Sequence, residues 1–193
     1  MSRRDARFLL VFTMAALFAL PAWARDLHFI GRFGIEGGGD TVASVQSSNG
    51  EQNVSAGGLV VLAAGLVYAP PTRPFVIEST IGYKVDNVTG SNGEVKFARW
   101  PFELLASYRV GANRFGGGLT YHMSPTYTCS IDNICADSVT LDNALGGVVQ
   151  YAWGSYEGSW VYDLGLRLTF IDYKAPGGTI SGTSFGGFLS FGF

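Results

Sequence analysis

The feature of this sequence that most constrains its fold is an apolar residue at every second position, repeated in about eight segments. The clearest segment runs from Trp160 to Phe170, where large apolar side chains alternate with Asp163, Arg167 and Thr169. A period of two is typical of a β-strand with one apolar and one polar face. The chain is therefore predicted to be all-β.

Eight strands separated by connections of alternating length can be placed on the sequence. The strands are predicted over residues 27–36, 54–68, 75–84, 94–108, 114–123, 139–153, 160–170 and 185–193. Loops are predicted over residues 37–53, 86–93, 124–137 and 173–182. Pro101 lies inside the fourth strand, where a β-bulge would accommodate it. Long and short connections at opposite ends are typical of an up-and-down meander that crosses a bilayer.

The first 24 residues are predicted to be a cleaved signal peptide. Three arginines precede an apolar run over residues 8–20, and Ala22 and Ala24 are small residues at the positions that signal peptidase reads. The run is short for a transmembrane helix, although an uncleaved anchor is the alternative. The mature domain is then residues 25–193, in an exported protein.

Composition agrees with an exported membrane protein. Charged residues make up 15% of the chain, against about 25% in soluble domains. Removal of the signal peptide leaves 10 Lys and Arg against 14 Asp and Glu, a net charge of −4. This mild acidity argues against a nucleic-acid partner.

Two cysteines, Cys129 and Cys135, lie in the third predicted loop. Export exposes them to an oxidising compartment, so we expect a disulfide. A metal site is the alternative, but two thiols without a nearby His make a poor ligand set. No metal and no cofactor is expected.

The large apolar face is predicted to point outward. Eight strands enclose a lumen just wide enough for side chains, which the Trp, Phe, Tyr and Leu of all strands would overfill. The charged face fits inside, where opposite charges can pair. The ends of the strands near the short turns also form a predicted aromatic girdle: Phe29, Tyr68, Phe75, Tyr108, Phe115, Trp153, Trp160 and Phe193. A soluble lipocalin-like barrel is the alternative.

Together, the export signal, the eight alternating segments and the terminal Phe191-Gly192-Phe193 resemble the small outer-membrane β-barrels of Gram-negative bacteria, the OmpA/OmpX-like group. The resemblance implies an eight-stranded antiparallel transmembrane barrel in the bacterial outer membrane, in contact with lipid and lipopolysaccharide. It also implies that the barrel assembly machinery reads Leu189, Phe191 and Phe193 as an insertion signal. We expect a monomer.

One short motif suggests chemistry. His122-Met123-Ser124 resembles the His-x-Ser pair of PagL-type lipid A deacylases, which implies a base and a nucleophile, with Asp137 or Asp142 as the acid. The alternative is a His in an interior hydrogen-bond network, because parity points His122 into the lumen. We therefore expect a non-enzymatic barrel that contributes to envelope structure or surface interaction, with a deacylase or a narrow channel as alternatives.

Lys96 and Lys174 are predicted to point outward near the end that carries the long connections. Lipopolysaccharide phosphates lie at that height, so one interpretation is an ion pair with phosphate. The other interpretation is a solvated charge at the rim.

Overall fold

The computed structural model describes residues 26–47, 50–90, 93–131, 134–156, 158–175 and 177–193, and the predicted signal peptide lies outside these ranges. In these ranges the chain forms β1 (Leu27–Gly37), β2 (Thr41–Ser47), β3 (Gly50–Ser55), β4 (Val60–Tyr68), β5 (Phe75–Gly90), β6 (Gly93–Val110), β7 (Asn113–Ile131), β8 (Cys135–Thr140), β9 (Ala144–Ser155), β10 (Val161–Phe170), β11 (Asp172–Ala175), β12 (Gly178–Ser181) and β13 (Ser184–Gly192). Within the same ranges, no helix is long and apolar enough to cross a membrane.

Eight of these strands form one closed antiparallel barrel. Around the barrel the order is β6, β5, β4, β1, β13, β10, β9 and β7, and pairing between β6 and β7 completes the circle. The last strand, β13, joins the first, with Phe33 opposite Leu189. The predicted all-β, eight-stranded, up-and-down barrel is confirmed.

The two faces of the barrel wall have opposite character. In β10, Leu164 is 59% exposed on the outside, whereas Asp163 and Arg167 on the inside are 1% and 3% exposed. For β4 the sequence alone did not distinguish the faces, and the structure places Leu62 and Leu66 outside. The predicted orientation, with large apolar side chains outward and charges inward, is confirmed.

The four predicted loops were the main error, because most of their residues form β-hairpins. The pairs β2–β3, β7–β8 and β11–β12 occupy three of them, and β5 and β6 continue as a paired ladder through the fourth. The name hairpin crown is used below for four hairpins: β2–β3, β7–β8, β11–β12 and the part of β5–β6 that lies beyond Val85. The second predicted strand was also too long, since Gly57 and Gly58 separate β3 from β4. Gly58 has a φ of 78°, which favours glycine.

A bulge lies near Pro101, but in the neighbouring strand rather than in the strand where it was predicted. The register between β6 and β7 shifts between Ala98 and Trp100, and the extra residue is in β7, where Ser124 has a φ of 48°. The glycines of β7 are explained by the close approach of the neighbouring backbone. A Cβ atom on Gly118 would overlap the carbonyl oxygen of Leu104 on the neighbouring strand.

The interior has three layers along the barrel axis. At the end with the short turns is a small apolar cluster, which consists of Ile30, Val67, Ala69, Val76, Tyr156 and Val161. At the crown end is a larger apolar cluster, which we call the crown core and which consists of Val54, Ala56, Val88, Val95, Phe97, Cys129, Ala144, Ile171 and Tyr173. Buried charged side chains from the barrel strands lie between these two layers.

Candidate functional site

The charged layer begins with Glu78, which contacts two arginines from different strands. Its carboxylate lies 2.6 Å from the Arg32 guanidinium and 3.1 Å from that of Arg114. Arg114 also contacts Asp163 at 2.7 Å, and Asp163 accepts a hydrogen bond from Tyr156. Ion pairs between β1, β5, β7 and β10 therefore cross-link the wall through the lumen.

A second set of ion pairs lies nearer the crown. Glu36 contacts Lys84 at 2.6 Å and Arg167 at 3.4 Å, and it accepts a hydrogen bond from the Ser184 hydroxyl at 2.7 Å. Arg167 also pairs with Glu103 at 2.5 Å. Because burying a charge is costly unless it is paired and hydrogen-bonded, these contacts account for the burial of Glu36, Lys84, Glu103 and Arg167 in a narrow lumen.

Arg99 marks the boundary between the charged layer and the crown core. Its side chain is buried, its guanidinium carbon lies 4.8 Å from the centre of the Phe97 ring, and it donates to the Ala56 carbonyl at 2.7 Å. The Tyr173 ring packs edge-on against Phe97, with ring centres 5.4 Å apart. The aromatic pair and the arginine close the lumen at this level.

The two residues of the sequence motif lie on opposite sides of the wall. His122 is buried in the lumen, and its Nδ1 lies 2.6 Å from the Tyr173 hydroxyl. Tyr173 lies in β11, beyond the barrel strands. Burial raises the pKa of its phenol, so the hydroxyl group remains protonated. Ser124 is exposed in the bulge, and its backbone N–H donates to the Asn143 side chain at 2.9 Å. Asp137 and Asp142 are also exposed.

Lys96 points outward, as its parity predicts, into a groove of about 390 Å³ on the outer face of the crown. Its ammonium lies 5.9 Å from the centre of the Tyr83 ring, which packs against Trp100 with ring centres 5.0 Å apart. The other residues that line the groove are Glu94, Ala98 and Arg99 of β6 and Ser124, Thr126, Thr128 and Ser130 of β7. Lys174 is exposed on β11 and does not line this groove.

The residues predicted as the assembly signal all point outward, two of them on β13 and Phe193 directly after it. Leu189, Phe191 and Phe193 are exposed, and Phe191 stacks on Trp160 with ring centres 5.3 Å apart. Phe193 lies 6.0 Å from Phe29 by the same measure. Aromatic side chains continue round this rim, since Tyr108 pairs across strands with Phe75 on one side and with Phe115 on the other.

The predicted disulfide is confirmed: Cys129 and Cys135 are bonded and join β7 to β8 near the tip of their hairpin. Among the described residues, no group of three or more His, Cys, Asp and Glu side chains could hold a metal ion.

An apolar pocket of about 430 Å³ within the crown was not predicted from the sequence. It is lined by Asp40, Thr41, Val42, Phe97, Tyr127, Val139, Leu141 and Ile180. Five of the eight residues come from segments that were predicted as loops, and the other three lie near the ends of predicted strands. The alternation of Tyr127 with polar neighbours in β7 was a usable signal, because it continues the inward face of the barrel strand beyond the bulge.

The exterior decides the class of protein. Large apolar side chains cover the outside of all eight barrel strands, an aromatic rim borders this surface at one end, and the ionic groups are enclosed. Because the barrel is closed, the backbone N–H and C=O groups of its wall are paired between strands. A structure that spans hydrocarbon needs this pairing, since no water is there to replace it. The chain is therefore a transmembrane β-barrel of the small outer-membrane type, as predicted.

Solved structures with a similar fold include Neisserial surface protein A (NspA), with a TM-score of 0.48 and 11% identity, over 86% of this chain and 94% of that one. Another is the outer membrane protein AlkL in DMPC lipid bilayers, with a TM-score of 0.40 and 14% identity, over 86% of this chain and 90% of that one. Neither likeness bears on function. No protein-family model matches the chain, and no curated protein does.

Proposed function

We propose that this chain is a non-catalytic integral protein of the bacterial outer membrane. The barrel acts as a rigid anchor, and the hairpin crown is the surface that meets the cell's surroundings. The observation that carries this proposal is the filled lumen. Paired charges cross-link the wall, and the crown core closes the lumen at the level of Arg99 and Phe97.

Two alternative functions are weakened by the same geometry. A deacylase of the His-x-Ser type needs its base within hydrogen-bond reach of the hydroxyl, whereas His122 is paired with Tyr173 inside and Ser124 is exposed outside. A channel needs a continuous water path, and Glu36, Arg167 and Glu103 bridge the lumen instead.

Lipid A mass spectra test the absence of catalysis. We expect identical lipid A from cells that carry an empty vector, the natural protein or a Ser124→Ala variant. Ser124 is exposed, so the variant is expected to fold. A deacylated lipid A species that appears with the natural protein and disappears with the variant would overturn the proposal.

Planar-bilayer recordings test the closed lumen. We expect no step conductance from the reconstituted protein, because the ion pairs and the Phe97–Tyr173 pair obstruct the lumen. Reproducible single-channel steps would make a narrow channel the better account.

The Lys96 groove supports a second part of the proposal, which is contact with lipopolysaccharide. A cation beside the Tyr83–Trp100 pair and several hydroxyl groups can hold a phosphate and an adjoining sugar. We expect Lys96→Gln to reduce the rise in thermal midpoint that added lipopolysaccharide gives the protein in vesicles. Arg73→Gln, in an exposed turn at the opposite end, is the matched control and should leave the rise unchanged. Equal effects of the two variants would count against a specific site.

A further inference from the structure

The pocket of the hairpin crown differs from the rest of the interior because its walls are mainly apolar. Val42, Leu141 and Ile180 come from three separate segments of the crown and are partly buried. Tyr127 and Val139 are directly opposite each other in the β7–β8 pair. A volume of about 430 Å³ lies within the range of small-molecule sites, roughly 300–1,000 Å³.

The pocket ends on the fully buried ring of Phe97. Arg99 stacks on this ring and does not itself line the pocket, so the ring separates the pocket from the charged layer. The pocket is thus an apolar compartment above a sealed lumen. An occupant would enter and leave on the crown side, without crossing the barrel.

One acidic side chain lines this compartment. Asp40 is exposed, and its Oδ2 accepts a hydrogen bond from the Ser181 backbone N–H at 2.7 Å, which fixes the carboxylate beside Thr41 and Ile180. Among the lining residues it is the only one with a charge.

On the described part of the crown and in the turns next to it, exposed acids outnumber exposed bases. The acids are Asp40, Asp137, Asp142 and Asp172, and Lys174 is an exposed base. A carboxylate at an apolar pocket in an acidic surface favours a cationic ligand and disfavours an anionic one.

We propose that the crown pocket binds a single-chain cationic amphiphile, with its hydrocarbon chain between Val42, Leu141 and Ile180 and its ammonium group beside Asp40. This inference extends the proposed function by giving the crown a class of ligand, and it rests on that proposal only in requiring that the crown be accessible from water.

The experiment compares three probes that share one chain: dodecylammonium, dodecanol and dodecanoate. The natural protein is placed in nanodiscs of zwitterionic lipid, and each probe is titrated while the methyl NMR signals of Val42, Leu141 and Ile180 are followed. We expect saturable shifts at these methyl groups, with affinity falling from dodecylammonium to dodecanol to dodecanoate. Leu164, on the lipid-facing wall, should report only partition of the probe into the bilayer.

Variants separate the charge from the pocket. Asp40→Asn keeps an oxygen that can accept from Ser181, and we expect it to weaken dodecylammonium binding about two- to fivefold while dodecanol is unaffected. Asp142→Asn removes an exposed charge that does not line the pocket, so it should weaken dodecylammonium binding less than Asp40→Asn does and leave dodecanol binding unchanged. Ile180→Trp should fill the pocket and abolish saturable binding of both probes, and Val42→Phe is a second filling variant if that one does not fold.

Three results would overturn the inference: dodecanoate that binds as tightly as dodecylammonium, equal effects of Asp40→Asn and Asp142→Asn, or shifts confined to Leu164. None of them affects the lipid A or conductance results, so failure of this inference and failure of the proposed function can be told apart.

Discussion

At the scale of single residues, Glu78 shows how the lumen depends on charge pairing. It neutralises Arg32 and Arg114 at once, and all three side chains are buried. We expect Glu78→Gln to lower the free energy of unfolding by about 3–5 kcal/mol, because two guanidinium groups lose their shared counter-charge. Urea unfolding in lipid vesicles, followed by tryptophan fluorescence, measures the change.

Asp137→Asn is the control for that measurement, because Asp137 is exposed on the crown. It should change the free energy by less than about 0.5 kcal/mol. If Glu78→Gln is as stable as this control, the ion pairs do not hold the lumen together.

Variants of Phe193 and Phe29 distinguish the packing of these side chains from recognition of Phe193 by the assembly machinery. Phe193 and Phe29 face each other across β13 and β1, and their backbones exchange hydrogen bonds of 2.8 and 3.0 Å. If Phe193 is also read by the assembly machinery, Phe193→Ala should reduce the amount of folded barrel in cells, while Phe29→Ala loses the same ring contact without that effect. Heat-modifiable migration of membrane fractions measures the folded amount. Equal losses would mean that the ring contact alone matters.

At the scale of elements, the crown hairpins and the barrel strands differ in what stabilises them. The disulfide closes a short segment between β7 and β8, outside the barrel wall. We expect its removal in a Cys129→Ser, Cys135→Ser double variant to destabilise this hairpin locally by about 2 kcal/mol, through loss of the constraint on the open chain.

Hydrogen exchange by mass spectrometry tests this prediction. Peptides that cover residues 126–131 and 135–140 should exchange faster, while peptides of β10 and β13 stay protected. Faster exchange throughout the barrel would show that the bridge stabilises the whole fold instead.

Elements also show where sequence reasoning succeeds. The eight barrel strands were predictable because a wall with hydrocarbon on one side and a narrow lumen on the other imposes strict alternation, as in β10. The hairpins lack this signature, since Thr126, Thr128 and Ser130 face a polar groove rather than lipid. Beyond the bulge near Pro101 the outward face is therefore polar instead of apolar, although hydrogen bonding between β6 and β7 continues to Ile131.

The site was less predictable than the fold, for a physical reason. Alternation along the strands predicted that His122, Arg167 and Glu78 point into the lumen. Their contact partners come from other strands that are distant in sequence, so they depend on the register of all strands around the closed barrel. His122 meets Tyr173, which was predicted to lie in a loop. The crown pocket depends on the packing of separate hairpins, which no local pattern specifies.

At the scale of the whole molecule, every conclusion depends on the orientation of the wall. The adjacent residues Leu104 and Leu105 provide a matched pair, because they have the same side chain on opposite faces of β6. Leu104 is 52% exposed on the outside and Leu105 is 1% exposed in the lumen. An apolar exterior in contact with lipid is the property that distinguishes this barrel from a soluble one.

The most direct test is magnetisation transfer from lipid acyl chains to the methyl groups of these two leucines, measured by solid-state NMR in bilayers. We expect rapid transfer to Leu104 and much slower transfer to Leu105. The reverse order, or rapid transfer from water to Leu104, would contradict the membrane-spanning orientation.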